Sequence, residues 1–556
     1  MKKFVSMIFI GLALGMSTGC DEFLNPEQID LVYNDIFWES QTDAETGLAG
    51  CYALYRGLMV SGRNWYSRAD ATTGLIKKGW NGGSDSNLYS VGEYGDVNSI
   101  YKMWGSEGLQ DYGNWENFYK VVSQCNMVID KVSEMDDSAF DPGEKKRILG
   151  EAYFLRGLVY FNILRIWGNA PYIDEMIESS SQVIDEEKRP ILIGRTDDVV
   201  IGMNVLADAR RASRMLAYKT PVTPGWGIRA NKGSAQALIG HAAMWMHFLA
   251  GRDGIDGQEV YVEEAIGALD SLSRYGNFSY VDYTDSVAVR NMYDGASTEA
   301  VFELHISSQD NESYRADASG VTALTCKMTP FDGDITKSRA TQIDWVPFSE
   351  KKNFFPEYNF TPMCECEKHP CEHNGDIRPH LFFDAWDSTY EDPVNDLVGA
   401  ASSDRRLVTS LKKYAIFAED TYRDWDEYVA YFAEANIPVF RYTDARLLLA
   451  EAYCKSGRYA EAKSIVDEIR SRAKIGPYAG SDADLIYEVL QQRVSELFGE
   501  GHIYFDMVRN NWWLKPQLMS SVNYSQEAYY WPVSAEIIQT NVEIDQTPYW
   551  SGKTRW

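Results

Sequence analysis

The residues best suited to chemistry lie in one short stretch, TPMCECEKHPCEHNGD, at residues 361–376. The candidate metal ligands are Cys364, Cys366, Cys371 and His373, in a C-x-C-x4-C-x-H pattern, with His369 as a fifth. Three thiolates and an imidazole could complete a tetrahedral structural zinc site. In an oxidising compartment Cys371 would instead pair with Cys364 or Cys366, and Cys326 could also take part. Zinc binding, a disulfide and free thiols remain alternatives. In each case the cluster would hold a long inserted loop in place and would have no catalytic role.

A second set of residues could bind a neutral ligand by stacking. Sugar faces stack on rigid aromatic rings, while a few amide or guanidinium donors orient the hydroxyl groups. The best candidates are Trp80 and Asn81, followed by Trp65, Arg68, Tyr314 and Trp345. The first four lie in a glycine-rich stretch, SGRNWYSRADATTGLIKKGWNGGSDSN, which favours a surface platform. The alternative, that these side chains pack the loops onto a scaffold, stays open for each of them.

Enzymatic chemistry finds little support in the residue pattern. With 81 acidic residues, carboxylate pairs are common everywhere, so none can be singled out as a glycosidase dyad. The metalloprotease pattern H-E-x-x-H and the P-loop pattern are both absent from the sequence. His241 and His247 flank an Ala/Trp stripe with helical spacing, which favours structural roles for both. We therefore expect a binding protein that is not an enzyme, with an unrecognised hydrolase as the alternative class.

The net charge of the chain argues against two classes of partner. The 556 residues carry a formal net charge of −28, which argues against nucleic acid or an anionic lipid surface as a partner. Tyrosine and tryptophan are abundant, at 35 and 16 residues. Their rings combine a flat apolar face with a polar edge, which suits sugar stacking and also suits large interfaces.

The elements that must position these residues are pairs of helices. Apolar residues recur at helical spacing over about 43–58, 115–170, 230–276 and 441–511. In YTDARLLLAEAYCKSGRYAEAKSIVDEIRSRA, Gly457 stands at the turn and Ala462 at the small crossing position of a tetratricopeptide repeat. Residues of about 59–114 and 290–435 do not fit the repeat. We predict a mainly α solenoid of tetratricopeptide-like helix pairs that carries an irregular, loop-rich ligand-binding layer.

One stretch near the C-terminus, QQRVSELFGEGHIYFDMVRNN at residues 491–511, has a continuous apolar stripe at helical spacing. We predict a single buried helix here, with Arg493–Glu496 and Asp506–Arg509 as i,i+3 ion pairs. Gly499 and Gly501 each cost about 1 kcal/mol in a helix, which indicates that another backbone approaches closely at this point.

The chain begins with an export signal. Lys2 and Lys3 precede an apolar run, Phe4 to Met16, too short to span a bilayer. Ser17-Thr18-Gly19-Cys20 resembles the cleavage box of a bacterial lipoprotein, which implies a signal peptide at residues 1–19 and lipidation of Cys20. Asp21 and Glu22 resemble the surface-export tag of some outer-membrane lipoproteins. We therefore expect a single domain over residues 20–556 that is held to the outer membrane by its acyl anchor.

Several segments in this order and spacing resemble the SusD/RagB family of nutrient-binding outer-membrane lipoproteins. The segments are the Cys20 signal, DAETGLAGCYALY, WENFYKVVSQCNMVID, GEAYFLRGLVYFNILRIWGNAPYI, RYTDARLLLAEAY, RVSELFGEGHIYFDMVR and YYWPVSAEIIQTNVEIDQTPYW. Thr547 replaces the asparagine that this family usually has in its last motif. The resemblance covers nearly the whole chain.

This resemblance implies a tetratricopeptide scaffold, a cell-surface location and a SusC-like TonB-dependent transporter as partner, over which the lipoprotein acts as a lid. It also implies an oligosaccharide ligand, or a peptide ligand as in the RagB branch. Family ligand sites draw on the two loop-rich regions, which agrees with the stacking residues chosen above. No cofactor is expected beyond structural zinc, should the Cys364–His373 cluster bind it.

Overall fold

The fold was examined in a computed structural model. It describes residues 37–60, 64–73, 76–78, 113–177, 191–295, 297–306, 341–343, 376–384, 410–411, 413–414, 423–425, 428–430, 435–513 and 519–552. Most of these residues are helical. The predicted fold class, a mainly α solenoid of helix pairs, is confirmed.

The helices are, in chain order, α1 (Gln41–Met59), α2 (Asn64–Ser67), α3 (Glu116–Glu134), α4 (Glu144–Trp167), α5 (Asp198–Met215), α6 (Lys232–Asp253), α7 (Glu259–Tyr275), α8 (Ser286–Asn291), α9 (Arg378–Phe382), α10 (Tyr442–Lys455), α11 (Tyr459–Arg472), α12 (Leu485–Leu497), α13 (Ile503–Asn510), α14 (Ser521–Ser525) and α15 (Ala535–Thr540). Local sequence explains where several of them begin and end. At the start of α1, Ser40 and Asp43 form a reciprocal capping box that satisfies free backbone N–H groups. At the end of α4, Gly168 adopts a positive φ of 67° that favours glycine.

The long helices pack in a chain-ordered series. The series runs α1, α3, α4, α5, α6, α7, α10, α11 and α12, each helix against the next. α4 is apolar almost all round, and both its faces are covered because it lies between α3 and α5 and also contacts α1. In the α10–α11 pair, Gly457 turns the chain with a φ of 74°, and Ala462 is fully buried where the helices cross.

The strands are short and pair antiparallel in twos. They are β1 (Ile76–Lys78), β2 (Ala300–Leu304), β3 (Thr341–Ile343), β4 (Phe383–Asp384), β5 (Ser410–Leu411), β6 (Arg423–Trp425), β7 (Tyr428–Ala430) and β8 (Ile437–Arg441). β1 pairs with β3, with Ile76 opposite Ile343 and Lys78 opposite Thr341. Because β1 belongs to the first loop-rich region and β3 to the second, this pair joins the two regions. β2 pairs with β8 and packs on α6 of the solenoid.

Two features differ from the sequence-based expectations. Helix α5 was not among the predicted scaffold segments, although it packs between α4 and α6. The stretch at 491–511 is not one helix, because α12 ends at Leu497 and α13 begins at Ile503. Within the described ranges, no helix has both the length and the apolar character needed to cross a membrane.

Candidate functional site

Most of the predicted site residues lie outside the described residues. These are Trp80, Asn81, Tyr314, Trp345, Cys20, Cys364, Cys366, Cys371 and His373. Their proposed roles in ligand binding, lipidation and metal binding therefore stay predictions. Trp65 and Arg68 are described, together with the scaffold that holds the start of the first loop-rich region.

Trp65 is buried, with 4% of its surface exposed. Its ring makes an edge contact with Tyr414 from the second loop-rich region, with ring centroids 5.4 Å apart. A ring enclosed in this way cannot offer a face to a sugar. The interpretation of Trp65 as part of an exposed stacking platform is therefore wrong, and packing of the loops is its role.

Arg68 is also buried, with 3% exposed, and its guanidinium lies among aromatic rings. The carbon at its centre is 5.7 Å from the ring centroid of Phe118, 5.3 Å from that of Trp167 and 6.0 Å from that of Trp531. Such cation–π contacts stabilise a desolvated guanidinium. The prediction that Arg68 orients a ligand is corrected in the same way, because its cation fastens the loop to α3, α4 and the C-terminal segment.

Asp70 fixes the same loop to the break between α12 and α13. Its carboxylate accepts hydrogen bonds from the backbone N–H groups of Gly499 at 2.8 Å, Gly501 at 3.0 Å and Ile503 at 3.1 Å. Complete burial raises the pKa of Asp70 to about 7, although these three N–H donors act to lower it. The arrangement is a backbone nest closed around a side-chain carboxylate.

The two glycines explain why the helix breaks here. Gly499 and Gly501 have φ values of 80° and 82°, in the left-handed region that favours glycine. A Cβ on Gly501 would lie 2.1 Å from the backbone oxygen of Trp65. The sequence-based inference that another backbone approaches this stretch is confirmed at Gly501, but the approach occurs at a break between helices and not inside one helix.

The charged residues of the stretch hold the loop-rich layer by buried ion pairs. Glu500 bonds Arg441 at 2.7 Å and Lys413 at 2.6 Å, and all three side chains are at most 3% exposed. Glu496 accepts a hydrogen bond from Arg378, the first residue of α9, at 3.2 Å. These contacts join the end of α12 to β8 and to two segments of the second loop-rich region.

Only one of the two predicted ion pairs within the stretch forms. Asp506 and Arg509 are 2.8 Å apart, as predicted. Arg493 does not pair with Glu496 and instead contacts Asp444 of α10 at 2.9 Å and Asp506 at 2.6 Å. The prediction of an Arg493–Glu496 pair is wrong because long-range carboxylates compete successfully for the guanidinium.

A small cavity lies where these elements meet. Its volume is about 40 Å³, and its lining includes Trp65, Arg165, Glu500, His502 and Phe505. This space suits one or a few water molecules and is too small for a sugar ring. The described residues around this cavity thus hold the start of the first loop-rich region against the solenoid.

Comparison with known proteins supports this description. Residues 399–550 match the model of the SusD family, and residues 63–196 match a family described as starch-binding and associating with the outer membrane. SusD-like protein P38 of Formosa agariphila is 24% identical over 99% of this chain and its own full length.

Solved structures show the same fold. A SusD homologue from Bacteroides thetaiotaomicron has a TM-score of 0.69 and 21% identity, covering 92% of this chain and 99% of its own. A laminarin-binding SusD-like protein has a TM-score of 0.64 and 18% identity, covering 92% and 99% of the two chains. The two family matches, the full-length relative and the solved structures of the same fold together support a SusD/RagB family protein.

Proposed function

We propose that this protein is a cell-surface lipoprotein, anchored through Cys20, that binds oligosaccharides and delivers them to a SusC-like TonB-dependent transporter in the outer membrane. The observation that carries the proposal is the full-length relation to SusD-like proteins, combined with a solenoid that fastens two loop-rich regions. One protein of the same fold is a laminarin-binding SusD-like protein. The match to a starch-binding, outer-membrane-associating family points to the same ligand class and location.

The candidate stacking residues are near the β1–β3 pair in the sequence. Trp80 and Asn81 follow the last residue of β1, Lys78, within three positions, and Trp345 follows the last residue of β3, Ile343, by two positions. Each loop-rich region thus contributes one strand to this sheet and has candidate residues close to that strand in the sequence.

We expect Trp80→Ala to weaken glycan binding at least about fivefold, because a central stacking ring typically contributes more than about 1 kcal/mol. The protein from residue 21 onward would be screened on a glycan array, and the affinity for the best glycan measured by calorimetry. Tyr275→Ala is the matched control, since Tyr275 is an aromatic residue of α7 with 64% of its surface exposed. Equal affinities for both variants would remove Trp80 from the site. Binding of peptides with no affinity for any glycan would replace oligosaccharide by peptide as the ligand class.

The transporter partnership and the lipid anchor are tested together. The full-length protein, expressed in its native host, is expected to sediment with the outer membrane and to copurify with a large β-barrel protein. Cys20→Ala should remove the acyl chain and shift the protein to the soluble fraction. Mass spectrometry of the mature N-terminus checks the acylation directly. An unacylated wild-type protein, or wild-type protein purified without any barrel partner after mild solubilisation, would contradict this part of the proposal.

A further inference from the structure

Three buried side chains from separate elements converge in the solenoid core. His241 lies on α6, Asp444 lies on α10, and His502 immediately precedes α13. One ligand-type atom from each lies within 4.8 Å of the others. All three side chains are buried, with relative exposures of 3%, 0% and 5%. Two imidazoles and a carboxylate so close together in a core need a physical explanation.

His502 is the anomalous member of this cluster. Its Nε2 atom is buried and has no hydrogen-bond partner in the described part of the chain. Buried polar atoms are nearly always bonded, and an exception calls for a bound water or ion. His502 also lines the cavity of about 40 Å³, which offers room for such a species beside the ring.

The other two members hydrogen-bond each other, and the carboxylate also has a supporting contact. Asp444 Oδ2 lies 2.8 Å from His241 Nε2, and Asp444 Oδ1 accepts from Arg493 at 2.9 Å. Arg493 thus holds one carboxylate oxygen and leaves the other directed at the histidine. A hydrogen bond that fixes a ligating carboxylate through its second oxygen is common around protein metals.

We propose that His241, Asp444 and His502 bind a divalent transition-metal ion such as Zn²⁺, with a water from the adjoining cavity as fourth ligand. Two nitrogen donors and one oxygen donor suit tetrahedral zinc and disfavour Ca²⁺ and Mg²⁺, which select oxygen ligands. The ion would take the place of the His241–Asp444 hydrogen bond and satisfy His502 Nε2. Because Arg493 adds a positive charge nearby, we expect a dissociation constant on the order of 1 µM, weaker than that of thiolate-rich structural zinc sites. The site would fasten α6, α10 and α13 together.

The test uses protein in which Cys364, Cys366 and Cys371 are replaced by serine, so that the cysteine cluster cannot contribute. Zn²⁺ or Co²⁺ is added to the folded protein and also during refolding, so that slow entry into the core cannot hide binding. We expect one equivalent of metal after desalting and an X-ray absorption spectrum with nitrogen and oxygen ligands alone. Absence of bound metal after both procedures would overturn the proposal and leave water as the partner of His502.

Single histidine substitutions test which residues bind the metal. His502→Gln and His241→Gln, made in the same background, are expected to lower the metal affinity at least about 100-fold, since each removes a direct ligand. His247→Gln is the matched control, because His247 lies on α6 but is half-buried and bonds the carbonyl of Gln258. Equal metal affinity in His247→Gln and His502→Gln would contradict the assignment. Should a core variant fail to fold, the cobalt absorption spectrum of the parent protein still decides between imidazole ligation and none.

Discussion

Replacing Gly501 with alanine is expected to lower the free energy of unfolding by about 3 kcal/mol or more. Two costs combine in this substitution. An alanine in the left-handed region costs about 1–2 kcal/mol, and Gly501 has a φ of 82°. Its Cβ would also lie 2.1 Å from the backbone oxygen of Trp65, so the first loop must move away from the solenoid. Overpacking of this kind adds about 1–3 kcal/mol.

Gly457→Ala is the matched control for this prediction. Gly457 has a similar φ of 74° in the turn between α10 and α11, but no atom lies within 4 Å of its added Cβ. The control should therefore show only the conformational cost of about 1–2 kcal/mol. Urea denaturation followed by tryptophan fluorescence measures both variants. If the two glycine variants lose the same stability, the close contact between Trp65 and the break between α12 and α13 is not a feature of the folded protein.

The solenoid could be predicted because the apolar pattern that specifies each helix lies within that helix. Residues such as Leu448 and Ala452 recur at the period of a helix, and each helix buries its stripe against the next one in the chain. Helix α5 carries the same signal in Ile201, Val205 and Ala209, all of which are buried, so its omission was avoidable. Fold class thus follows from periodicity alone.

The break at residues 498–502 could not be predicted in the same way, because it depends on distant residues. Phe498 and Phe505 are both buried, so the apolar stripe continues across the break and imitates one helix. The carboxylate that binds the freed N–H groups belongs to Asp70, more than 400 positions earlier. The Gly-x-Gly pattern predicted the position of a close contact, but it did not predict which residue makes that contact.

The sequence also could not predict which side chains of the loops are buried and which are exposed. Trp65 and Arg68 lie among glycine, asparagine and serine, a composition typical of exposed loops. Their burial depends on rings supplied by Trp167, Trp531 and Tyr414, which come from distant parts of the chain. Local composition indicates that a segment is irregular, but it does not indicate which of its side chains are buried.

Removing the Glu500 carboxylate should have the largest effect of any single charged substitution in the α12–α13 region. We expect Glu500→Ala to lower the free energy of unfolding by about 3–5 kcal/mol, the usual cost of leaving a buried charge unpaired. Among the described residues, Lys413, which is fully buried, would keep only the carbonyl of Glu496 as a close polar partner. Glu263→Ala is the control, because its pair with Arg458 is exposed and such pairs contribute about 0–1 kcal/mol.

The pH dependence of Glu500→Ala provides an independent check. Arg441 and Lys413 hold the pKa of Glu500 below its ordinary value, against the opposing effect of burial. A depressed carboxyl pKa contributes stability that is fully present above the unfolded-state value near 4.5 and is lost as the pH falls through the folded-state value. The contribution of the ionised Glu500 carboxylate to the stability gap between wild type and Glu500→Ala should therefore be fully present above about pH 5 and shrink in acid.

A double-mutant cycle separates the ion pair from general damage to the core. Lys413→Met in the Glu500→Ala background removes the unpaired ammonium and keeps an unbranched side chain beside Phe382, whose ring centroid lies 4.6 Å from the Lys413 nitrogen. The double variant should recover at least about 1 kcal/mol relative to Glu500→Ala, because a buried unpaired charge costs more than an apolar side chain in the same place. Additive losses in the two single variants would mean that Lys413 and Glu500 do not interact.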